Sequence, residues 1–71
     1  MDRSMEFRHL AEAERHIMLG AQHISKQELC IADLEVHGHD STLARSLLET
    51  FRLTQAEHVA HRDRILRELS R

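Results

Sequence analysis

Apolar residues in the first half of the chain recur with a seven-residue period. Leu10, Ile17, Ile24 and Ile31 form one row of this repeat. Three positions further on, the same repeat carries mostly small or polar residues, namely Ala13, Gly20, Gln27 and Leu34. Two such rows form the a/d stripe with which one helix packs along another. The pattern predicts a long helix over residues 4–37, with Ser4 near its start as a favourable N-cap.

The second half of the chain repeats this pattern less clearly and predicts a helix from about Ser41 to Leu69. Its central row is Ala44, Phe51, His58 and Ile65. Two rows flank it, one with Leu47, Thr54 and His61 and the other with Leu48, Gln55, Arg62 and Leu69. We expect the helix–helix interface to contain Leu10, Ile17, Gly20, Ile24, Ile31, Leu47, Phe51, His58, Ile65 and Leu69.

The turn between the two helices is predicted at residues 38–40. Gly38 suits the left-handed position that follows a helix. Asp40 suits an N-cap whose carboxylate accepts from the backbone amides of Thr42 or Leu43. A connection this short makes the helices antiparallel, so residues 1–71 form a single all-α helical hairpin in which Ile31 faces Leu47.

The length of the chain indicates that this hairpin needs a partner. The chain has 71 residues, no Pro and two Gly, which favours long unbroken helices but allows at most one small domain. Both helices also carry apolar residues outside the shared stripe, and so short a chain has little interior to cover them. We therefore expect a homo-oligomer, with two hairpins forming a two-fold-symmetric four-helix bundle with coiled-coil packing.

Charge and cysteine content indicate a cytoplasmic protein without a membrane span, and they do not favour nucleic-acid binding. The longest apolar run, Ile17–Leu19, is far too short to cross a bilayer, and the charged amino terminus is unlike a signal peptide. The single Cys30 fits a reducing compartment and is expected to be a small core residue. The net charge of −2 argues against a nucleic-acid-binding face.

Seven histidines form the most unusual feature of the composition. His9, His16 and His23 are spaced by seven residues and share one stripe of the first helix. Because they lie two turns apart, a metal site must combine both helices; the candidate is His16 with His58 and His61, binding zinc, nickel or copper. The alternatives are polar contacts that set the helix register and pH-sensitive assembly. Gly20 is expected to make room for the His58 imidazole.

After the turn Gly38-His39-Asp40, the chain continues with Leu43-Ala44, Leu47-Leu48, Phe51, His58 and His61-Arg62-Asp63-Arg64-Ile65. In these residues, the stretch from Leu34 onward resembles a group of small alphaproteobacterial proteins, many of which are uncharacterised. The resemblance covers the second half of the chain well and the first half loosely. It implies a bacterial cytosolic helical hairpin and brings no activity with it.

These patterns predict a self-associating interaction or regulatory module that acts through another, unidentified protein. Phe7, Leu53 and Leu66 are candidate anchors for that partner. A histidine-based metal or pH sensor is the alternative. A weak nucleic-acid binder is a second alternative, and it would use the arginines of the carboxyl-terminal segment, Arg62, Arg64, Arg67 and Arg71. We expect no catalytic residue and no cofactor, because the sequence holds no nucleophile arrangement, phosphate loop or paired-carboxylate motif.

Overall fold

The computed structural model describes residues 3–71 and contains two α-helices, α1 over Ser4–Val36 and α2 over Thr42–Leu69. This part of the chain contains no strand, and it forms a rod of 59 × 14 × 13 Å. The all-α hairpin is thus confirmed. The helices are one residue shorter at the turn than predicted. Arg3, rather than Ser4, occupies the N-cap position of α1 and makes no side-chain capping bond.

The turn stops α1 and starts α2 by two separate sets of hydrogen bonds. Gly38 has a φ of +73°, and its amide donates to the Glu35 carbonyl at 3.1 Å. The next amide, of His39, donates to the Leu34 carbonyl at 2.8 Å, which completes a Schellman motif. The N-cap of α2 is Ser41, which makes no side-chain capping bond, so the prediction of Asp40 at this position is wrong by one residue. Asp40 still holds the start of the helix, because its Oδ1 accepts from the Thr42 amide at 3.0 Å and from the Thr42 hydroxyl at 2.7 Å.

Three hydrogen bonds between the helices show that they run antiparallel. Near the open end, an Arg3 guanidinium nitrogen donates to the Glu68 carbonyl at 3.0 Å. Near the turn, the Gln27 side chain donates to the Ala44 carbonyl at 2.9 Å. Between them, Gln55 reaches the carbonyl of Ile17, 38 positions away in the sequence.

The contact between the helices follows the heptad of α1 as predicted. Beyond the first turn of α1, the buried and half-buried residues are Leu10, Ala13, Ile17, Gly20, Ile24, Gln27, Ile31 and Leu34. In α2 the contact combines the central row with the row of Leu48, so that it contains Ala44, Leu48, Phe51, Gln55, His58, Arg62, Ile65 and Leu69. The predicted interface took Leu47 from one flanking row and Leu69 from the other, whereas the structure places the row of Leu48 and Leu69 in the contact.

Two side chains that the sequence predicts to be buried are exposed. Leu48 is 7% exposed and Leu47 is 45% exposed, so the expected packing of Leu47 against Ile31 is wrong. One residue in a helix is a rotation of about 100°, which turns Leu47 to the side of the contact. Cys30, expected in the core, is exposed for the same reason, because it precedes the buried Ile31 by one residue.

Two ion pairs join the helices on one side of this contact. Arg45 pairs with Glu35 close to the turn, and Arg52 lies 3.6 Å from Glu28 about two turns further along. The hydrogen bond from Arg45 holds the pKa of the Glu35 carboxyl below its ordinary value of 4.5. Such exposed pairs add little stability, but they favour this register of the two helices over a shifted one.

The hairpin buries few side chains. Among the described residues, the buried hydrophobic ones are Ala13, Ile31, Leu48 and Ile65. The large hydrophobic side chains that stay exposed are Met5, Phe7, Met18, Leu19, Leu29, Val36, Leu43, Leu47, Leu53 and Leu66. Within residues 3–71, neither helix is long and apolar enough to cross a membrane. Many large apolar side chains of this hairpin therefore face outward.

We predict that Asp40→Ala destabilises the hairpin in a pH-dependent way. The hydrogen bonds from the hydroxyl and amide of Thr42 hold the pKa of the Asp40 carboxyl below its ordinary value of 3.8. A carboxyl with a lowered pKa stabilises the folded state above its unfolded-state pKa, and this contribution disappears as the pH falls through the folded-state pKa. Wild type should therefore melt at a higher temperature than Asp40→Ala at pH 7, and the difference should shrink below about pH 4.

Circular dichroism melting curves between pH 7 and pH 2.5 measure this difference. Asp40→Asn is the matched control: it retains an acceptor oxygen but does not titrate, so its melting temperature should stay near the wild-type value at pH 7. Equal melting temperatures of wild type and Asp40→Ala at pH 7 would show that the turn does not depend on this carboxylate.

Candidate functional site: a histidine groove

Two glutamines occupy the contact stripe and donate hydrogen bonds to the backbone of the opposite helix. Gln27 of α1 donates to the Ala44 carbonyl, and Gln55 of α2 donates to the Ile17 carbonyl at 2.8 Å. A half-buried amide needs such partners, since an unpaired one costs about 1–3 kcal/mol. Because each bond joins a side chain to one particular carbonyl, the pair fixes the position of α2 along α1.

Gly20 provides the space into which the Gln55 side chain fits. A Cβ atom at Gly20 would lie 1.9 Å from Gln55 Oε1, far inside contact distance. The prediction that Gly20 makes room for His58 is therefore wrong, because the longer carboxamide side chain fills the space first. Oε1 is buried and has no conventional hydrogen-bond donor. It faces the Gly20 Cα hydrogen that a Cβ atom would replace, and a Cα–H group can act as a weak donor.

Two imidazole rings meet beside this glycine. The ring centres of His16 on α1 and His58 on α2 lie 5.3 Å apart, and the ring planes are tilted by 43°. One repeat further along α1, the His23 ring lies 5.9 Å from the Phe51 ring at a tilt of 39°. The row of histidines thus runs beside the contact as predicted, and two of its members reach partners on α2.

These rings surround an open groove of about 200 Å³, which we call the histidine groove. Its lining residues are His16, Leu19, Gly20, His23, Phe51, Thr54, Gln55 and His58. The lining surface is mostly apolar, with the imidazole rings and two polar side chains as its only hydrogen-bonding groups. A groove of this volume accepts one or two side chains of another protein, or a small ligand.

The structure brings together two of the three predicted metal ligands. His16 and His58 face each other, whereas His61 is exposed and its Nδ1 lies 3.5 Å from the Arg64 guanidinium. His61 is one helical turn past His58 and does not line the groove. Within residues 3–71, no group of three or more His, Cys, Asp or Glu side chains could hold a metal ion.

The sequence pattern does not predict several residues of the groove. Leu19 lies outside the a/d stripe, and the pattern gives Gln55 only as one member of a flanking row. One feature of the sequence points to the polar contacts beside the groove, namely a glutamine in each helix at a position that is normally apolar in a heptad repeat. Pairing Gln55 with Gly20 required the register of the two helices, which the repeat alone does not give to within one turn.

The comparisons with known proteins give no relative. No family model matches the chain, and neither a curated protein nor a solved structure matches it. The resemblance to small alphaproteobacterial hairpin proteins therefore stays a prediction.

We predict that Gly20 and Gln55 are energetically coupled. Gly20→Ala gains about 1 kcal/mol of helix propensity, but its methyl group must displace the Gln55 side chain and break a hydrogen bond worth about 1 kcal/mol. The substitution should therefore change stability little in wild type. In a Gln55→Ala background, where nothing needs to move, it should stabilise the protein by about 1 kcal/mol.

Urea unfolding followed by circular dichroism gives the four free energies of this double-mutant cycle. Gln27→Ala is the matched control. Like Gln55, Gln27 lies in the contact stripe and donates to a backbone carbonyl, but its partner is Ala44, away from Gly20. Gly20→Ala and Gln27→Ala should be additive within about 0.5 kcal/mol. Additivity of Gly20→Ala with Gln55→Ala would refute the coupling.

Proposed function

We propose that the protein is a self-associating helical interaction module, in which two hairpins pair through the side that carries the histidine groove. We call this side the histidine face and define it as the groove together with Leu47. Its large exposed hydrophobic side chains are Leu19, at 41%, and Leu47, at 45%. The observation that supports the proposal is the amount of apolar surface that one hairpin leaves uncovered.

The accessible area of the chain supports a dimer of ordinary size. The chain exposes 5548 Å², whereas a compact monomer of 8.3 kDa exposes about 4,600 Å². The excess, about 950 Å², is of the same size as the roughly 800 Å² that each partner contributes to a standard protein–protein interface. One additional hairpin is therefore enough to bring the exposed area per chain to the value typical of a folded protein.

The distribution of charge favours the histidine face as the interface. The opposite side of the contact carries the pairs of Arg45 with Glu35 and of Arg52 with Glu28, which are hydrated on the free hairpin. Covering those charges would require their desolvation. The histidine groove is lined mainly by apolar atoms, so covering it costs less and gains hydrophobic free energy.

A two-fold axis suits this surface. In a symmetric dimer each copy presents the same patch, so a groove and an adjoining leucine can complement their own equivalents. Two hairpins placed in this way form the four-helix bundle expected from the sequence, with the ion pairs on its outside. The outer surface, which includes Phe7, Leu53 and Leu66, is then available to a further protein partner.

Nucleic-acid binding gains no support from the described residues. Arg62 lies 3.1 Å from the Asp63 carboxylate, and Arg71 lies 3.7 Å from Glu68. These contacts offset part of the positive charge of the carboxyl-terminal segment. We therefore retain the interaction module as the proposal.

We predict that charge on the histidine face abolishes self-association. Leu19→Glu combined with Leu47→Glu would place four carboxylates in the dimer interface, where desolvation opposes pairing. Analytical ultracentrifugation should give a dimer near 17 kDa for wild type, twice the 8.3 kDa of one chain, and a monomer for the double variant at the same micromolar concentration.

The matched control makes the same two substitutions on the far side of the helices. Leu29 and Leu53 are 72% and 61% exposed, and Leu29→Glu with Leu53→Glu should remain dimeric. A monomeric wild type at every concentration would overturn self-association. A dimeric Leu19→Glu, Leu47→Glu variant would exclude the histidine face as the interface.

A further inference from the structure

We propose that His16 and His58 form half of a zinc site, and that a second copy of the chain completes it across the histidine groove. The inference rests on the proposed self-association and adds a ligand that would regulate it. It starts from the pair of imidazoles that faces the groove from two different helices.

The separation of the two rings matches shared metal coordination. In a tetrahedral zinc site each imidazole nitrogen lies about 2 Å from the metal, and the ring centre lies about 1 Å behind that nitrogen. Two rings that meet the metal at the tetrahedral angle therefore have centres about 5 Å apart. His16 and His58 have ring centres 5.3 Å apart, which is close to the separation that two imidazoles sharing one ion would have.

A single hairpin cannot complete this site with its own described residues. Structural zinc takes four protein ligands, and within residues 3–71 no third His, Cys, Asp or Glu side chain joins the pair. The other polar side chain next to Gly20, Gln55, is already bonded to the Ile17 carbonyl. The missing ligands must come from outside the hairpin.

A second copy supplies two more imidazoles if the two-fold axis passes next to the pair. The result is four nitrogens around one ion, a ligand set that suits zinc, copper or nickel, with tetrahedral geometry favouring zinc. The apolar groove wall beside the pair, which includes Leu19 and Phe51, would then exclude water from the ion. The stoichiometry is one metal per two chains.

The first experiment measures how ZnCl₂ changes self-association. A ligand that binds only the dimer strengthens it by mass action, so sedimentation equilibrium should show the dimer dissociation constant falling about tenfold or more with saturating zinc. His16→Ala and His58→Ala should each remove this response. His9→Ala belongs to the same row of α1 but lies outside the groove, and it should respond like wild type.

Cobalt provides a direct reading of the ligands. Co²⁺ in a tetrahedral nitrogen site absorbs visible light strongly, so titrating wild type with CoCl₂ should give a band that saturates at one ion per two chains. His16 is exposed, so His16→Ala should keep the fold, which circular dichroism verifies, and should lose the band.

The outcomes separate the two proposals. A wild-type dimer whose dissociation constant is the same with and without zinc overturns the zinc site and leaves self-association standing. Saturation at one ion per chain without dimer formation also overturns the shared site. A zinc response that persists in both His16→Ala and His58→Ala would place the metal elsewhere, whereas a monomer under every condition overturns both proposals.

Discussion

Two long helices that touch along a single line can bury only one stripe of each, and this constraint governs the whole molecule. The described residues form only these two helices, so a side chain one position away from the contact stripe already lies at the edge of the contact. Leu47 and Cys30 show this, because their neighbours Leu48 and Ile31 are buried while they are exposed. Polar side chains within the stripe must then find partners along the same line, as Gln55 does at the Ile17 carbonyl.

The parts of the fold that were predictable are those set by local chemistry. The seven-residue repeat of α1 predicts its buried face. Gly38 and Asp40 predict the turn, Gly38 through its backbone conformation and Asp40 through the hydrogen bond that its carboxylate accepts from the Thr42 amide. Local rules failed where two arrangements differ by one helical position. Leu47 and Leu48 are chemically identical, and either row beside Phe51 gives an amphipathic helix. Only the pairing of both helices distinguishes them.

The histidine groove illustrates the same limit. The spacing of the histidines placed them beside the contact, but it did not state which ring of α1 meets which ring of α2. That depends on the register to within a single turn, which the turn geometry and the glutamine hydrogen bonds set together. His58 was correctly placed near Gly20 along the axis, yet the space at the glycine is occupied by Gln55, whose flexible side chain reaches further across the contact.

Gly20 links the architecture to the proposed function. A side chain at this position would fill part of the groove and push Gln55 away from the Ile17 carbonyl. Its absence lowers the intrinsic stability of α1 by about 1 kcal/mol relative to alanine, in a hairpin with very few buried side chains. If two hairpins pair as proposed, folding and assembly are coupled, because the second hairpin would supply burial that the first one lacks. Under this proposal, a ligand that joins two copies at His16 and His58 acts on the folded state itself as well as on the oligomer.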